Sequence, residues 1–270
     1  MNPWLELQRG AAPLIISFPH TGTDIPTQIE ERLVSPWLAR KDTDWWVQEL
    51  YGFARELGAT TLRTAISRTV IDVNRDPTGL SLYPGQATTA LCPVTTFDGE
   101  PLYHAGRAPD EADIATRRRS WFEPYHRALA GEIERLLACH GRVVLYDAHS
   151  IRSRVPRLFE GVLPDFNIGT NTGRACDEAL VRAVRRACDA GPFTQVTDGR
   201  FKGGWTTRHY GQPARGVHAI QMELACSAYL DEPEVPAPDN WPPAFDMTRA
   251  APLGTVLLEV LQACLAFAAV

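Results

Sequence analysis

Two histidines occupy positions where α/β enzymes often bind metals. His20 follows a short apolar run at residues 14–18, and His149 follows another at residues 143–146. Ligands of open α/β sheets bind beyond the carboxyl ends of the strands, so polar side chains at such points favour a functional interpretation. Neutral imidazole is a good zinc ligand, and a catalytic zinc takes three protein ligands and leaves one position for water. The alternative is that each histidine is structural.

A third metal ligand is not provided by a short motif at His20, because neither an HxxE nor an HExxH pair occurs there. The nearest acidic candidates are Asp42 and Asp44. Both have an alternative role, since Asp side chains also cap helices by accepting hydrogen bonds from free backbone amides.

Glu223 lies within the apolar segment 220–224, where a charge is costly to bury without a partner or a cation nearby. Beside a metal, such a carboxylate could polarise a water molecule and then pass a proton to a leaving nitrogen. An internal salt bridge to an arginine is the alternative.

Several cations lie in segments that we predict to be loops, and arginine in particular makes bidentate bonds to carboxylates. The alternative for each is a solvated surface charge. Residues 199–211 combine glycines, cations and aromatic residues, which is typical of a mobile loop that covers a substrate. The candidate cations are Arg68, Arg75, Arg200, Lys202 and Arg208.

The periodicity of apolar residues predicts alternating strands and helices, and hence a layered α/β fold formed by one domain over residues 1–270. Residues 80–109 have little periodicity and predict a long loop of the kind that is often functional. Predicted strands cover residues 13–18, 60–73 (as one strand or two), 142–146 and 217–224, and predicted helices cover residues 44–57, 112–140, 176–190 and 252–270.

Composition narrows the range of partners and compartments. The formal net charge is −5, so no overall field attracts nucleic acid or an anionic membrane. The six cysteines lack CxxC spacing, which indicates reduced thiols. The first residues lack the basic start and apolar stretch of a secretory signal, so we expect a cytoplasmic protein that binds neither membranes nor nucleic acid.

Six long motifs follow one another in the chain: residues 17–22 (SFPHTG), 42–45 (DTDW), 67–75 (SRTVIDVNR), 147–153 (DAHSIRS), 158–171 (LFEGVLPDFNIGTN) and 199–204 (GRFKGG). Together, and in this order, they resemble the N-formylglutamate amidohydrolase family, also called N-formylglutamate deformylase. The resemblance runs from about residue 11 to residue 230.

The resemblance implies hydrolysis of N-formyl-L-glutamate, a small dicarboxylate, to formate and L-glutamate in one bacterial route of histidine breakdown. The family is similar to zinc carboxypeptidases and aspartoacylases, which implies a three-layer phosphorylase/hydrolase-like fold with a mixed central sheet and helices on both faces. It also implies a divalent metal, with Zn²⁺ expected. Those relatives place a Glu ligand three residues after the first His, where this chain has Thr23. We therefore expect Asp44 as the third ligand, with Asp42 as the alternative.

The resulting hypothesis has a metal held by His20, Asp44 and His149, with Glu223 moving the proton. Arg68 is expected to stabilise the developing oxyanion. Asn74 and Arg75 would hold one substrate carboxylate, and Arg200, Lys202 or Arg208 the other. The competing hypotheses are an amidohydrolase for another N-acyl acidic amino acid, or a catalytically silent protein that binds acidic metabolites.

Overall fold

A mixed seven-stranded sheet with helices on both faces forms the centre of the molecule. The computed structural model describes residues 3–82 and 85–269. The strand order is β1-β3-β2-β4-β7-β5-β6, with antiparallel pairing only at β1–β3 and β5–β7 among these strands. The strands are β1 (Leu5–Gln8), β2 (Leu14–Phe18), β3 (Thr60–Thr64), β4 (Val143–Ile151), β5 (Phe166–Gly169), β6 (Gln195–Thr197) and β7 (Val217–Ala225).

The central strands β2, β4 and β7 are buried along their whole length and run parallel to one another. Successive side chains of a strand point to opposite faces of the sheet. In β4, Val144 and Tyr146 pack into one apolar layer, whereas Val143 and Leu145 pack into the other. By this alternation, Asp147 and His149 lie on the same face as Val143 and Leu145.

Helices cover both faces because each face of a parallel sheet is apolar and must be buried. The helices α2 (Val47–Leu50), α5 (Glu178–Cys188) and α7 (Met247–Ala268) pack on one face. The other face is covered by α3 (Glu111–Arg117), α4 (Glu123–His140) and α6 (Trp205–Tyr210). A short α1 (Thr27–Glu30) lies between β2 and β3 in the chain.

The helix α7 is long and apolar enough, by length and composition, to cross a membrane. Its Leu253, Leu257 and Leu261 are fully buried, and the helix packs against α5 and the central strands. This is the arrangement of a core helix, whose apolar face is buried against the sheet.

The predicted helix over residues 44–57 is wrong. The structure has only the short α2 in this segment, followed by a 3-10 helix at Gly52–Arg55. The backbone of Trp46 adopts a left-handed conformation with φ of 62°, which interrupts a helix before α2. The Trp46 indole donates a hydrogen bond to the carbonyl of Pro243, so a tertiary contact stabilises this break.

The other predicted elements are confirmed with different bounds. Residues 60–73 contain the single strand β3, and residues 112–140 form α3 and α4, joined by a π-helical turn at Arg118–Phe122. β4 extends past its predicted end to Ile151, so His149 lies inside the strand. Neither a helix nor a named strand occurs in the described part of residues 80–109. The strands β1, β5 and β6 were not predicted.

Candidate active site

The carboxyl ends of three neighbouring parallel strands bring the predicted chemical side chains together. His20 follows β2, His149 lies near the end of β4, and Glu223 lies near the end of β7. His149 and Glu223 are register partners, and all three side chains are at least 93% buried, since the largest exposed fraction is 7%. The order of the central strands therefore places the three side chains together, at the carboxyl ends of β2, β4 and β7.

His20, Asp44 and His149 form a buried group that could hold a metal ion. Nδ1 of His149 lies 3.1 Å from Nδ1 of His20 and 3.1 Å from Oδ2 of Asp44, and the His20 and Asp44 atoms are 3.6 Å apart. Tetrahedral zinc with ligands at about 2.0–2.1 Å separates its ligand atoms by about 3.3 Å. The donor types and their spacing thus fit a tetrahedral divalent metal.

Each histidine has a buried carboxylate at its other ring nitrogen. Nε2 of His20 lies 2.6 Å from Oδ1 of Asp72, and Nε2 of His149 lies 3.1 Å from Oδ2 of Asp147. In many zinc sites a carboxylate at the second ring nitrogen orients the histidine that binds the metal. Both histidines are therefore oriented with Nδ1 toward Asp44.

The charges of this cluster shift the pKa values of its members. Burial alone would raise the pKa of Asp72, but His20, Arg75 and Arg68 hold it well below the usual range. Burial also opposes ionisation of Asp44, yet His20 and His149 lower its pKa. Both carboxylates are therefore negative at neutral pH and ready to balance a cation.

Asp44 reaches the group because its backbone amide donates to the carbonyl of His20 at 3.0 Å. Its Oδ2 also accepts a hydrogen bond from the amide of Ser150 at 3.2 Å. It does not cap α2, whose N-terminus has no side-chain cap. Asp42 lies outside the group, where it accepts from the amide of Phe97 at 2.6 Å and pairs with Arg152 at 3.4 Å.

Glu223 is buried beside this group without an arginine at salt-bridge distance among the described residues. Burial raises the pKa of Glu223 to about 7; His149 and Arg68 oppose the shift, and Asp44 adds to it. A carboxyl group with a pKa near neutrality can both accept and donate a proton. Its Oε2 accepts a hydrogen bond from Nε2 of Gln221 at 3.1 Å.

Arg68 is buried between two of the acidic residues. It donates to Oδ2 of Asp72 at 3.0 Å and to Oδ1 of Asp44 at 3.4 Å, and its guanidinium lies 4.7 Å from the centre of the Phe97 ring. It also lines the cavity above the group. Its positive charge balances the negative charges of Asp44 and Asp72.

Both ends of the Asn74 side-chain amide have hydrogen-bond partners within the protein. Its Nδ2 donates to Oδ2 of Asp147 at 3.0 Å and lies 2.9 Å from Nε2 of His149, while its Oδ1 accepts from the amide of Thr206 at 2.8 Å. Predicted as a substrate-binding residue, it lines the cavity but also connects β4 to the start of α6.

A cavity opens above the group, and the cations that line it are Arg68, Arg75 and Arg200 among the described residues. Arg75 lies 3.4 Å from Asp72 and donates to Thr89. Arg200 donates to the carbonyls of Leu158 and Ala87. The wall between these cations is apolar and is formed by Phe97, Ile151, Leu158 and Phe201.

The other two predicted cations are outside the set of described residues that line this cavity. Arg208 lies in α6 and donates to the carbonyls of Gly203 and Leu82. Lys202 belongs to the segment before α6, and its carbonyl accepts from the amide of Asn171.

Sequence reasoning missed Asp72, Asp147 and Gln221 as members of the site. A signal was available for two of them, because Asp147 precedes His149 and Gln221 precedes Glu223 by two residues within a strand. That spacing places each pair on one face of the sheet. Asp72 lies two residues before Asn74 and accepts a hydrogen bond from its amide at 2.9 Å, in a turn that periodicity does not describe.

Known proteins resemble the chain over almost its entire length. N-formylglutamate deformylase of Pseudomonas aeruginosa is 46% identical over 268 residues, covering 99% of this chain and 98% of the relative. The protein of the same name from Pseudomonas putida is 43% identical over 270 residues, covering 100% and 98%.

A crystal structure of N-formylglutamate amidohydrolase from Ralstonia eutropha has the same fold. Its TM-score is 0.78 at 24% identity, and the similarity covers 96% of each chain. The family model of N-formylglutamate amidohydrolase matches residues 12–230, a range that contains the buried histidine and aspartate group and Glu223. The chain belongs to the N-formylglutamate amidohydrolase family.

Proposed function

We propose that the protein is a metal-dependent hydrolase that converts N-formyl-L-glutamate and water to formate and L-glutamate. The observation that carries this proposal is one cavity lined by His20, His149 and Glu223 together with Arg75 and Arg200. A group suited to a metal thus lies beside an acid–base carboxylate and beside cations suited to a dicarboxylate. The names of the two Pseudomonas relatives supply the substrate.

Zinc is the proposed metal, held by Nδ1 of His20, Nδ1 of His149 and Oδ2 of Asp44. Two imidazole nitrogens and a carboxylate form a frequent protein ligand set of catalytic zinc. When bound, the metal acts as a Lewis acid that polarises a carbonyl and lowers the pKa of a coordinated water. Asp72 and Asp147 would orient the imidazole rings of the two histidines for metal binding.

Glu223 is the proposed acid–base group. In its ionised form it accepts a proton from the attacking water as the water oxygen bonds to the formyl carbon. The C–N bond then breaks, and Glu223 returns the proton to the departing nitrogen. The second proton of the water leaves with formic acid and passes to the amino group, which gives formate and the ammonium form of L-glutamate. Burial raises the pKa of Glu223 to about 7 without a metal, and a bound cation would lower it, so Glu223 would be ionised and able to accept a proton near neutrality.

The cavity arginines are the proposed substrate-binding groups. Arg75 would hold one carboxylate with Asn74 oriented beside it, and Arg200 would hold the other. Arg68 faces the cavity and would stabilise negative charge as it develops on the formyl oxygen. Lys202, whose carbonyl accepts from the amide of Asn171, and Arg208, which donates to the carbonyl of Gly203, would hold the loop after Arg200 in place.

The cellular role proposed with this activity is the last step of a bacterial route of histidine breakdown, in the cytoplasm. This part rests on the family to which the chain belongs. All six cysteines are unpaired, which agrees with a reducing compartment.

A panel of N-acyl amino acids tests the substrate. N-formyl, N-acetyl and N-succinyl derivatives of L-glutamate are incubated with zinc-loaded protein, and the released acid is quantified. The proposal predicts formate release with the highest kcat/KM for the N-formyl compound. A higher kcat/KM for the acetyl compound would identify another N-acyl amidohydrolase, and binding without any turnover would identify a silent binding protein.

A further inference from the structure

Gln221 occupies a position in the site that the proposed reaction leaves unused. It lies two residues before Glu223 in β7, is 4% exposed, and is the register partner of Asp147 in β4. Burying a side-chain amide without hydrogen-bond partners costs free energy, so the partners of the Gln221 amide indicate its role.

The two ends of the Gln221 amide have different partners. Its Oε1 accepts a hydrogen bond from the backbone amide of Gly204 at 2.7 Å, and its Nε2 donates to Oε2 of Glu223 at 3.1 Å. A backbone N–H can only donate, so the bond to Gly204 decides which end of the amide is oxygen. The NH₂ group must then point at Glu223.

The turn at Gly204 is tightly fitted against the same site. A Cβ atom at Gly204 would lie 2.4 Å from Nδ2 of Asn74, so only glycine is accommodated there. One residue into α6, the amide of Thr206 donates to Oδ1 of Asn74. This turn follows Arg200 and Phe201, which line the cavity. It therefore connects the substrate-facing segment to both Asn74 and Gln221.

We propose that Gln221 is a positioning residue that holds the carboxylate of Glu223 in its working orientation and links that orientation to the turn at Gly204. The link runs from the Gly204 amide through Gln221 to Oε2 of Glu223. Oε2 accepts the hydrogen bond that sets the orientation, and Oε1 would exchange the proton with water and the leaving nitrogen. This inference rests on the proposed function for its kinetic consequences, but its structural consequences do not depend on turnover.

Two substitutions of Gln221 distinguish its hydrogen bond to Glu223 from its hydrogen bond to Gly204. Gln221→Glu keeps an oxygen that accepts from Gly204 but replaces the donor to Glu223 by a second carboxylate oxygen, so the two groups repel or share a proton. Gln221→Met has a similar shape and removes both hydrogen bonds. Gln212→Glu is the matched control, because Gln212 is exposed and bonds to His209 and Arg215 outside the cavity.

The kinetic test measures kcat and KM of formate release for the three variants and the wild type. We expect kcat of Gln221→Glu and Gln221→Met to fall by roughly 10²-fold, the scale of a misplaced catalytic group, with KM near the wild-type value. Gln212→Glu should match the wild type. A rise in KM with unchanged kcat would instead assign Gln221 to substrate binding and overturn the proposal.

The structural test uses crystal structures and amide hydrogen exchange of the same proteins. In Gln221→Met the Glu223 carboxylate should adopt a new rotamer while β7 superimposes on the wild type, and the Gly204 amide should exchange faster. In Gln221→Glu the Gly204 amide should stay protected. If Glu223 is unmoved in Gln221→Met, the proposal fails even if the wild type acts on another substrate. Absence of formate release by the wild type would reject the proposed function alone.

Discussion

His149 and Glu223 lie opposite each other as register partners in the parallel pair β4–β7. Because side chains of paired residues point to the same face, a proposed metal ligand and the proposed acid–base group are held side by side by the sheet itself. Both strands are buried along their whole length, which makes this juxtaposition rigid.

The choice between Asp44 and Asp42 as the third metal ligand gives the first prediction. Asp44→Asn replaces a carboxylate 3.1 Å from Nδ1 of His149 by a neutral amide. Loss of a residue that only supports a metal ligand lowers metal affinity by about 10-fold to 100-fold, so zinc affinity should fall by at least that much. Zinc content after dialysis, measured by atomic emission, reports the loss.

The matched control is Asp42→Asn, which keeps an oxygen to accept from the amide of Phe97. This variant should retain zinc like the wild type. Loss of zinc from Asp42→Asn together with retention by Asp44→Asn would reverse the assignment.

Glu223→Gln gives the second prediction. The substitution keeps the shape of the side chain but removes its ability to accept a proton. We expect kcat to fall by roughly 10²–10⁴-fold while zinc content and thermal unfolding stay near wild type. Kinetics and metal analysis on one preparation test this together. Near-normal turnover would mean that another group moves the proton.

The pH dependence of kcat/KM gives the third prediction. Glu223 must be ionised to accept a proton, so activity rises as pH increases through its pKa. Without a metal, burial raises that pKa to about 7, and a nearby cation favours the carboxylate and lowers it. For the zinc-bound enzyme, the acidic limb of the kcat/KM profile should therefore have its midpoint below about pH 7. An acidic limb above that value would exclude Glu223 as its source.

Arg200 gives the fourth prediction. If it binds the side-chain carboxylate of the substrate, Arg200→Gln should lower kcat/KM for N-formyl-L-glutamate by about 10-fold to 100-fold, the equivalent of a charge-assisted hydrogen bond of about 1.5–3 kcal/mol. The effect should be much smaller for N-formyl-L-glutamine, whose side chain is neutral. Equal losses for both substrates would assign Arg200 to loop structure.

The control for this comparison is Arg182→Gln, which removes an arginine that is 56% exposed and pairs with Glu178 on α5. Exposed pairs of this kind contribute little to stability, so its kinetics should match the wild type with both substrates.

The sequence predicted the central part of the site because it depends on local features. Apolar runs at β2, β4 and β7 indicate buried parallel strands, and the polar residues near their ends lie at one edge of the sheet. These local features predict that His20, His149 and Glu223 lie together at that edge. The mixed α/β architecture could be predicted from the same alternation of strands and helices.

The remaining features depend on tertiary contacts that local patterns do not encode. The left-handed backbone of Trp46 interrupts the start of the predicted helix, and its indole donates to the carbonyl of Pro243, about two hundred residues away in the chain. β6 has only three residues, and β5 has four, too few for a clear periodicity. Gln221 gains its role only when the turn at Gly204 packs against it.

Metal dependence is tested most directly by measuring formate release from N-formyl-L-glutamate with one preparation as purified, after chelation and dialysis, and after zinc is restored. We expect formate release to parallel bound zinc, with loss on chelation and recovery at about one zinc per chain, the stoichiometry of a site with three protein ligands. Full turnover by metal-free protein would exclude the metal-dependent reaction.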